Sequence, residues 1–288
     1  MLTVLEIIKK TTEFFAAKGI EQPRLNAEQL IGHGLGLKRM ELYLQFERPL
    51  TERELETIRP LVRRRGQREP LQYIVGEMEF WGLKIHVDRR ALIPRPETEY
   101  LIELTVARLT RPPVRILDLG TGTGAIALAL ASHFPDAAVV AADLSPSALE
   151  LAVENALRNG LEDRVQWLVS NWFTTVPAEP FDLIVSNPPY LTTSETSEAA
   201  PEVRDHEPVS ALVSGENGIA DLAAIIESAP RFLAAGGLLA LETGIAQHAE
   251  LQRRTADVGL INIESLPDLT GRDRYLLARA KETPTSLQ

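Results

Sequence analysis

The stretch VRILDLGTGTG, residues 114–124, decides the fold. Its first six residues, Val114 to Leu119, have the largely apolar make-up of a strand buried on both faces of a parallel sheet. Glycines at 120, 122 and 124 then let the backbone turn and pass close to a ligand, where a Cβ would intrude. The run from Ala125 to Ala131 follows as a helix. Strand, glycine-rich turn and helix form the opening unit of a doubly wound α/β sheet. Downstream, AVVAAD (138–143) is a second strand, and Ser145 as N-cap with Pro146 at the first helical position opens a helix that Gly160 closes. VQWLVS (165–170) and FDLIVS (181–186) are the third and fourth strands. A helix over 219–234 leads through Gly236-Gly237 to LLALE (238–242), then come a helix over 246–257 and the strands INIES (261–265) and RYLLARA (274–280). Seven strands with crossover helices predict a mostly parallel, doubly wound sheet, with the last two strands close enough to pair antiparallel.

Residues 1–75 read differently. Val4, Leu5, Ile7, Ile8, Phe14 and Phe15 fit one amphipathic helix closed near Gly19, and Leu25, Leu30 and Ile31 suit a second. Thr51 and Glu54 form a capping box ahead of Leu55, Ile58, Leu61 and Val62, a run that Pro60 should kink or break. This region is expected to be a small helical bundle. Residues 76–95 link it to the sheet domain, 96–288, through a strand or hairpin carrying Phe80, Trp81, Leu83, Ile85 and Val87.

Composition narrows the function. The chain has 288 residues, 44% of them hydrophobic, which suits one large or two ordinary domains. No apolar run approaches the roughly 20 residues of a membrane span, and MLTVLEIIKK lacks a signal-peptide layout, so a cytoplasmic location with no membrane partner is expected. Zero cysteines exclude disulfides and thiolate chemistry, and the five histidines lack metal-site spacing, so no metal is expected. Of 30 basic and 40 acidic residues, 17 and 13 fall in residues 1–95, a net +4, leaving 13 and 27, a net −14, for residues 96–288. An acidic sheet domain argues against tight binding to a nucleic-acid backbone. Arg63-Arg64-Arg65 is the one concentrated basic patch and reads as a solvated helix end.

The glycine loop departs from a dinucleotide fingerprint. Its spacing is GxGxG in Gly120-Thr121-Gly122-Thr123-Gly124, with Asp118 two residues ahead. That acid would repel a pyrophosphate but suits a cationic amino-acid group, so S-adenosylmethionine is favoured over NAD. Asp143, ending the second strand, can accept both ribose hydroxyls, and Trp172, after the third, can cover an adenine. After the fourth strand comes Asn187-Pro188-Pro189-Tyr190. Proline restricts the residue before it, so this segment holds the Asn187 side-chain oxygen and a backbone carbonyl on a stiff frame, with the flat face of Tyr190 beside them. Two fixed acceptors and a flat wall suit methyl transfer to a planar nitrogen, whose delocalised lone pair attacks only when its hydrogens are held. Asp118 to Gly124, Asp143, Trp172 and Asn187 all fall at the carboxyl ends of strands, where open α/β sheets bind ligands.

Across nearly its whole length the chain resembles the HemK/PrmC family of protein glutamine methyltransferases. The shared segments are GEMEFWGL (76–83), IPRPETE (93–99), ILDLGTGTGAIALALA (116–131), SNWF (170–173), VSNPPY (185–190), PEVRDHEP (201–208) and DLTGRDR (268–274). The resemblance implies a class I S-adenosylmethionine-dependent methyltransferase sheet with an N-terminal helical bundle for substrate recognition. It further implies methylation of the glutamine in the Gly-Gly-Gln motif of class I peptide-chain release factors. Carried over by position, the loop Gly120 to Gly124, Asp143 at the ribose and Trp172 near the adenine would hold the cofactor. Asn187 would touch the cofactor and, with the Pro188 carbonyl, hold the substrate amide, with Tyr190 packed against it. Asn171 stands where the family commonly has Asp, and its oxygen can still accept a hydrogen bond from the adenine amino group. Arg63 to Arg65 and the tail KETPTSLQ carry no part of the resemblance. PEVRDHEP, with Glu202, Arg204 and Glu207, is expected to border the substrate entrance, and the protein is expected to act as a monomer. A DNA or RNA adenine N6-methyltransferase needs similar geometry and is the rival reading. The acidic sheet domain and the absence of a DNA-reading domain stand against it.

Overall fold

The computed structural model describes residues 2–282; the last six residues of the tail lie outside them. The described residues form two compact units, one running to Glu77 and including Ala200–His206, the other holding Met78–Ala199 and continuing from Glu207.

The first unit is helical. It holds α1 (Val4–Ala17), α2 (Pro23–Leu35), α3 (Arg39–Tyr43), α4 (Glu52–Gly66) and α5 (Leu71–Val75) around a core that includes Val4, Ile8, Phe15, Leu30, Ile31 and Ile58. Thr51 caps α4 as its sequence dictates: the Glu54 amide donates to Thr51 Oγ1 and the Thr51 amide to Glu54 Oε2, at 3.3 and 2.8 Å. Such a cap contributes about 1 kcal/mol. Arg48 also donates to Glu54, and this contact, with the Thr51 amide, holds the carboxyl down at about 2. Of the expected kink or break, the break does not occur: α4 runs on through Pro60. Pro60 and Glu56 both lie on its exposed face, so water can bond the carbonyl that a proline cannot serve.

The arginine run is not the solvated patch expected. Only Arg63 is exposed; Arg64 pairs with Glu69 at 2.8 Å, and Arg65 is buried. Arg65 donates to Asn26 Oδ1 and to Glu202 Oε1, both at 2.8 Å, and Arg68 donates to Glu202 Oε2 at 2.6 Å. Glu202 is thus gripped by Arg65 of α4 and by Arg68, two residues beyond its end. Burial would raise its pKa, but Arg68 and Arg65 outweigh that and keep it low.

From Met78 on, the second unit opens with the hairpin β1 (Glu77–Phe80) and β2 (Leu83–His86), followed by α6 (Pro96–Arg108), β3 (Arg115–Leu119), α7 (Ala125–His133), β4 (Ala138–Asp143), α8 (Pro146–Arg158), β5 (Val165–Val169) and β6 (Phe181–Ser186). Two short helices come next, α9 (Thr193–Glu198) and α10 (Pro201–Arg204), the latter in the segment that belongs to the helical unit. The chain finishes with α11 (Ala220–Ser228), β7 (Leu233–Glu242), α12 (His248–Asp257), β8 (Ile261–Pro267) and β9 (Asp273–Arg279). The seven-stranded sheet has the order β5-β4-β3-β6-β7-β9-β8. Its first five strands are parallel, and β9 runs antiparallel to both β7 and β8.

One helix differs from its sequence reading. The helix expected over 219–234 stops at Ser228, a single 3₁₀ turn covers Ala229–Arg231, and β7 starts at Leu233. Pro230 is the cause: it has no amide hydrogen and its ring clashes with the carbonyl one turn back. The strand then absorbs Gly236 and Gly237, with a register shift against β6 between Phe181 and Leu183.

Succession from β3 runs outward to β4 and β5 on one side, while β6 and β7 lie on the other. The strand order therefore reverses beside β3, and a crevice opens at the carboxyl ends of β3 and β6. Leu119 and Ser186 are register partners there, tied by the Ser186 hydroxyl donating to the Leu119 carbonyl at 2.6 Å. That pairing brings the glycine loop and the Asn187 segment side by side.

Candidate active site

A cavity of about 240 Å³ occupies this crevice, lined among others by Thr98, Gly120 to Thr123, Asp143, Asn171, Trp172, Asn187 and Pro189. The glycine loop takes its shape from backbone conformations that L side chains disfavour, with φ of +69°, +55° and +82° at Gly120, Gly122 and Gly124. Asn155 of α8 fastens it from behind. Its Nδ2 donates to the carbonyls of Thr123 and His86, and its Oδ1 accepts the His86 amide, so loop, helix and hairpin share one side chain.

Asp143 and Asp118 part company. Asp143 lines the cavity, with Oδ2 accepting the Gly122 amide and Oδ1 the Ser145 amide, both at 2.8 Å. Each oxygen keeps a lone pair for a ligand hydroxyl. Burial raises its pKa against the pull of the Ser145, Gly122 and Leu144 amides. Asp118 lies beneath the loop, wholly buried, and is not among the lining residues. Its Oδ2 accepts the Thr121 hydroxyl at 2.6 Å and the Ala127 amide at 3.1 Å, which makes it a brace between loop and α7. Burial pushes its carboxyl up to about 7. Gly124 also falls outside the lining, packed toward Ala152 and Trp167.

Trp172 sits at φ +47°, and its Nε1 donates to Asp221 Oδ1 at 3.0 Å. A Cβ added to Gly120 would lie 3.4 Å from its ring, so loop and indole face each other closely. The neighbouring Asn171 is exposed and its side chain bonds no other described residue.

Asn187 lines the same cavity from the end of β6. Its Nδ2 donates to Thr98 Oγ1 at 3.1 Å, and Thr98 Oγ1 donates to Glu242 Oε2 at 2.8 Å. Asn187 Oδ1 and the Pro188 carbonyl receive no hydrogen bond from the described residues. Pro188 is buried and Pro189 reaches the cavity. The Tyr190 hydroxyl donates to Glu242 Oε1 at 3.2 Å, and Arg274 lies 5.6 Å from the ring centre. The Tyr190 carbonyl accepts Nε2 of Gln247 at 2.8 Å. Burial raises the Tyr190 pKa, so the phenol is a donor throughout the ordinary pH range.

Thr98, Glu242, Asp221 and Gln247 escaped the sequence reading. Thr98 lies within PRPETE with no local mark of its role, whereas Glu242 ends an apolar strand at the same sheet edge as Asp143, an equal signal. The PEVRDHEP segment divides. Glu202 sits in the helical unit, exposed Arg204 pairs with its neighbour Asp205, and Glu207 is buried against Arg95 at 2.5 Å. Pro208, which follows, lines the cavity.

Two family models match the chain: a PrmC N-terminal domain over residues 6–76 and a methyltransferase small domain over residues 98–206. A solved methyltransferase from Pyrococcus furiosus is 22% identical, with a TM-score of 0.54 over 70% of this chain and 90% of its own, a likeness of fold alone. The release factor glutamine methyltransferase of Chlorobaculum tepidum is 42% identical over 97% of this chain and 98% of its own. That of Escherichia coli K12 is 40% identical over 90% and 93%. With about two positions in five shared along almost the full length of both, and with both domain models matched in order, the chain belongs to the release factor glutamine methyltransferase family.

Proposed function

We propose that the protein methylates the side-chain amide nitrogen of the glutamine in the Gly-Gly-Gln motif of class I peptide-chain release factors, using S-adenosylmethionine. The observation that carries this reading is one cavity at the sheet's switch point, lined by Asp143 and Trp172 and also by Asn187, which keeps a free acceptor oxygen. S-adenosylmethionine supplies a methyl group made electrophilic by the sulfonium to which it is bound.

The residues fit that group. The Asp143 carboxylate has lone pairs for a ribose diol, the Trp172 ring offers a face for adenine, and the unpartnered Asn171 amide can meet an adenine edge. Gly120 and Gly122 keep the loop free of side chains on that wall. Asp118 serves from beneath, holding Thr121 and the start of α7 in place, in a bracing role that differs from the direct contact its sequence position suggested. At the reacting end, Asn187 Oδ1 and the Pro188 carbonyl accept the two hydrogens of the substrate amide, so that its lone pair points at the methyl. Tyr190, held by Glu242 and Gln247, gives the planar amide a wall. Positioning of this kind supplies most of the rate, and the methylated nitrogen sheds its proton to water without a strong base. The net charge of −14 over residues 96–288 supports a protein over a nucleic acid as substrate, and the helical unit is assigned to recognition of the rest of the release factor.

Incubation with methyl-labelled S-adenosylmethionine and either a release factor, the same factor with its Gly-Gly-Gln glutamine replaced, or duplex DNA tests the reading. Label is expected on the first alone. Label on DNA, or on the factor lacking that glutamine, would overturn it.

A further inference from the structure

The amide of an asparagine has two nearly isosteric faces, and only one of them can serve a substrate amide. If Asn187 presented Oδ1, it would accept a substrate hydrogen; if it presented Nδ2, donor would face donor. Thr98 decides between them. Its hydroxyl has a single hydrogen, directed at Glu242 Oε2 at 2.8 Å, so Oγ1 can meet Asn187 only with a lone pair. The group at 3.1 Å must then be Nδ2, which leaves Oδ1 for the substrate. In its ionised form Glu242 sets the polarity of this chain, because a carboxylate only accepts: one oxygen takes Thr98, the other takes the Tyr190 hydroxyl at 3.2 Å. Thr98 and Glu242 are 4% and 1% exposed, so water does not compete for these bonds. Burial raises the Glu242 pKa, opposed by the Thr98 hydroxyl and the charge of Arg274.

We propose that Thr98 and Glu242 are positioning residues that hold Asn187 in the single amide orientation with Oδ1 toward the incoming glutamine, a role that rests on the substrate reading above. The linkage spans residues 98, 187 and 242, which three separate elements bring to one edge of the sheet. It also joins Asn187 to Tyr190, so the acceptor and the wall of the site are set by one carboxylate.

The test compares Thr98→Val, which keeps the shape and loses the hydroxyl, with Thr98→Ser, which restores it. Thr98→Val is expected to lower kcat at least tenfold with KM for the release factor and Kd for S-adenosylmethionine within about threefold. Thr98→Ser is expected within about threefold of wild type in all three. Equal kcat in the two variants, or a loss explained wholly by weaker cofactor binding, would overturn the proposal. Should Thr98→Val not fold, Thr98→Ala carries the same comparison with Thr98→Ser. A second measurement needs no turnover and so stands apart from the substrate reading. In ¹⁵N spectra of the protein without cofactor, the Asn187 side-chain NH₂ should show one slowly exchanging hydrogen in wild type and Thr98→Ser, lost in Thr98→Val. An unchanged signal in Thr98→Val would overturn the proposal whatever the substrate, whereas failure of wild type to label a release factor would count against the functional reading alone.

Discussion

Gly218→Ala should damage the active site from outside it. Gly218 has φ +67°, and an added Cβ would stand 2.5 Å from the Tyr190 carbonyl oxygen and 2.8 Å from Gln247 Nε2. Those two atoms are bonded to each other at 2.8 Å, and Gln247 Nε2 also donates to the Gly218 carbonyl. Alanine in the left-handed region costs about 1–2 kcal/mol. Losing a buried hydrogen bond adds about 1 kcal/mol, and shifting backbone adds more, so a total of about 2–4 kcal/mol is expected. Gly259→Ala provides the control. Its φ is +84° with nothing within 4 Å of the added Cβ, so it carries the conformational cost alone. At about 2–4 °C per kcal/mol for a domain of this size, Gly218→Ala should melt several degrees below Gly259→Ala by calorimetry. Turnover should fall about 100-fold in Gly218→Ala, because a displacement of roughly 1 Å at the reacting groups is enough, and should stay near normal in Gly259→Ala. Equal melting and equal turnover in the two variants would refute the idea that Gln247 and Gly218 fix the Tyr190 backbone.

Three further outcomes are expected. Trp172→Ala removes the ring face and should raise the S-adenosylmethionine Kd about tenfold by calorimetry, in line with about 1–3 kcal/mol for base–aromatic stacking; an unchanged Kd would remove the indole from the adenine site. Asp118 has a folded pKa near 7, above the ordinary aspartate value of about 4, so it binds more protons folded than unfolded and the protein loses stability as pH rises through that window. The Tm of Asp118→Asn relative to wild type should therefore climb between about pH 4 and 7, and a gap that does not vary with pH would contradict the buried-carboxyl assignment. Glu202→Ala removes the carboxylate partner of Arg65, whose side chain is 6% exposed, and should cost the helical unit about 2 kcal/mol, read as faster hydrogen exchange along α4.

What the sequence made legible was mostly local. Apolar runs ending in Asp143 or Ser186 identify strands, Thr51 with Glu54 and Ser145 with Pro146 identify helix starts, and glycines spaced at 120, 122 and 124 identify a ligand loop. Each rests on neighbours within a few residues. The end of α11 is not legible because apolar periodicity continues past Pro230, where the backbone cannot follow. The burial of Arg65 was hidden because its partners, Asn26 and Glu202, lie 39 and 137 residues away. In the site, the strand-end rule finds Asp143 and Asn187 but cannot tell that Asp118 turns under the loop toward Thr121 and Ala127. Nor can it join Thr98 to Glu242 across 144 residues, since only the packing of α6 against β7 brings those positions together.

The central claim is that Asn187 presents a glutamine amide to the cofactor methyl. It is tested most directly by fragmentation mass spectrometry of a release factor after timed reaction with wild type and with Asn187→Ala. Wild type should place one methyl group on the side-chain nitrogen of the Gly-Gly-Gln glutamine, and Asn187→Ala, with cofactor affinity largely kept, should do so at least about 100-fold more slowly. A methyl group on any other residue, or near-normal transfer by Asn187→Ala, would contradict it.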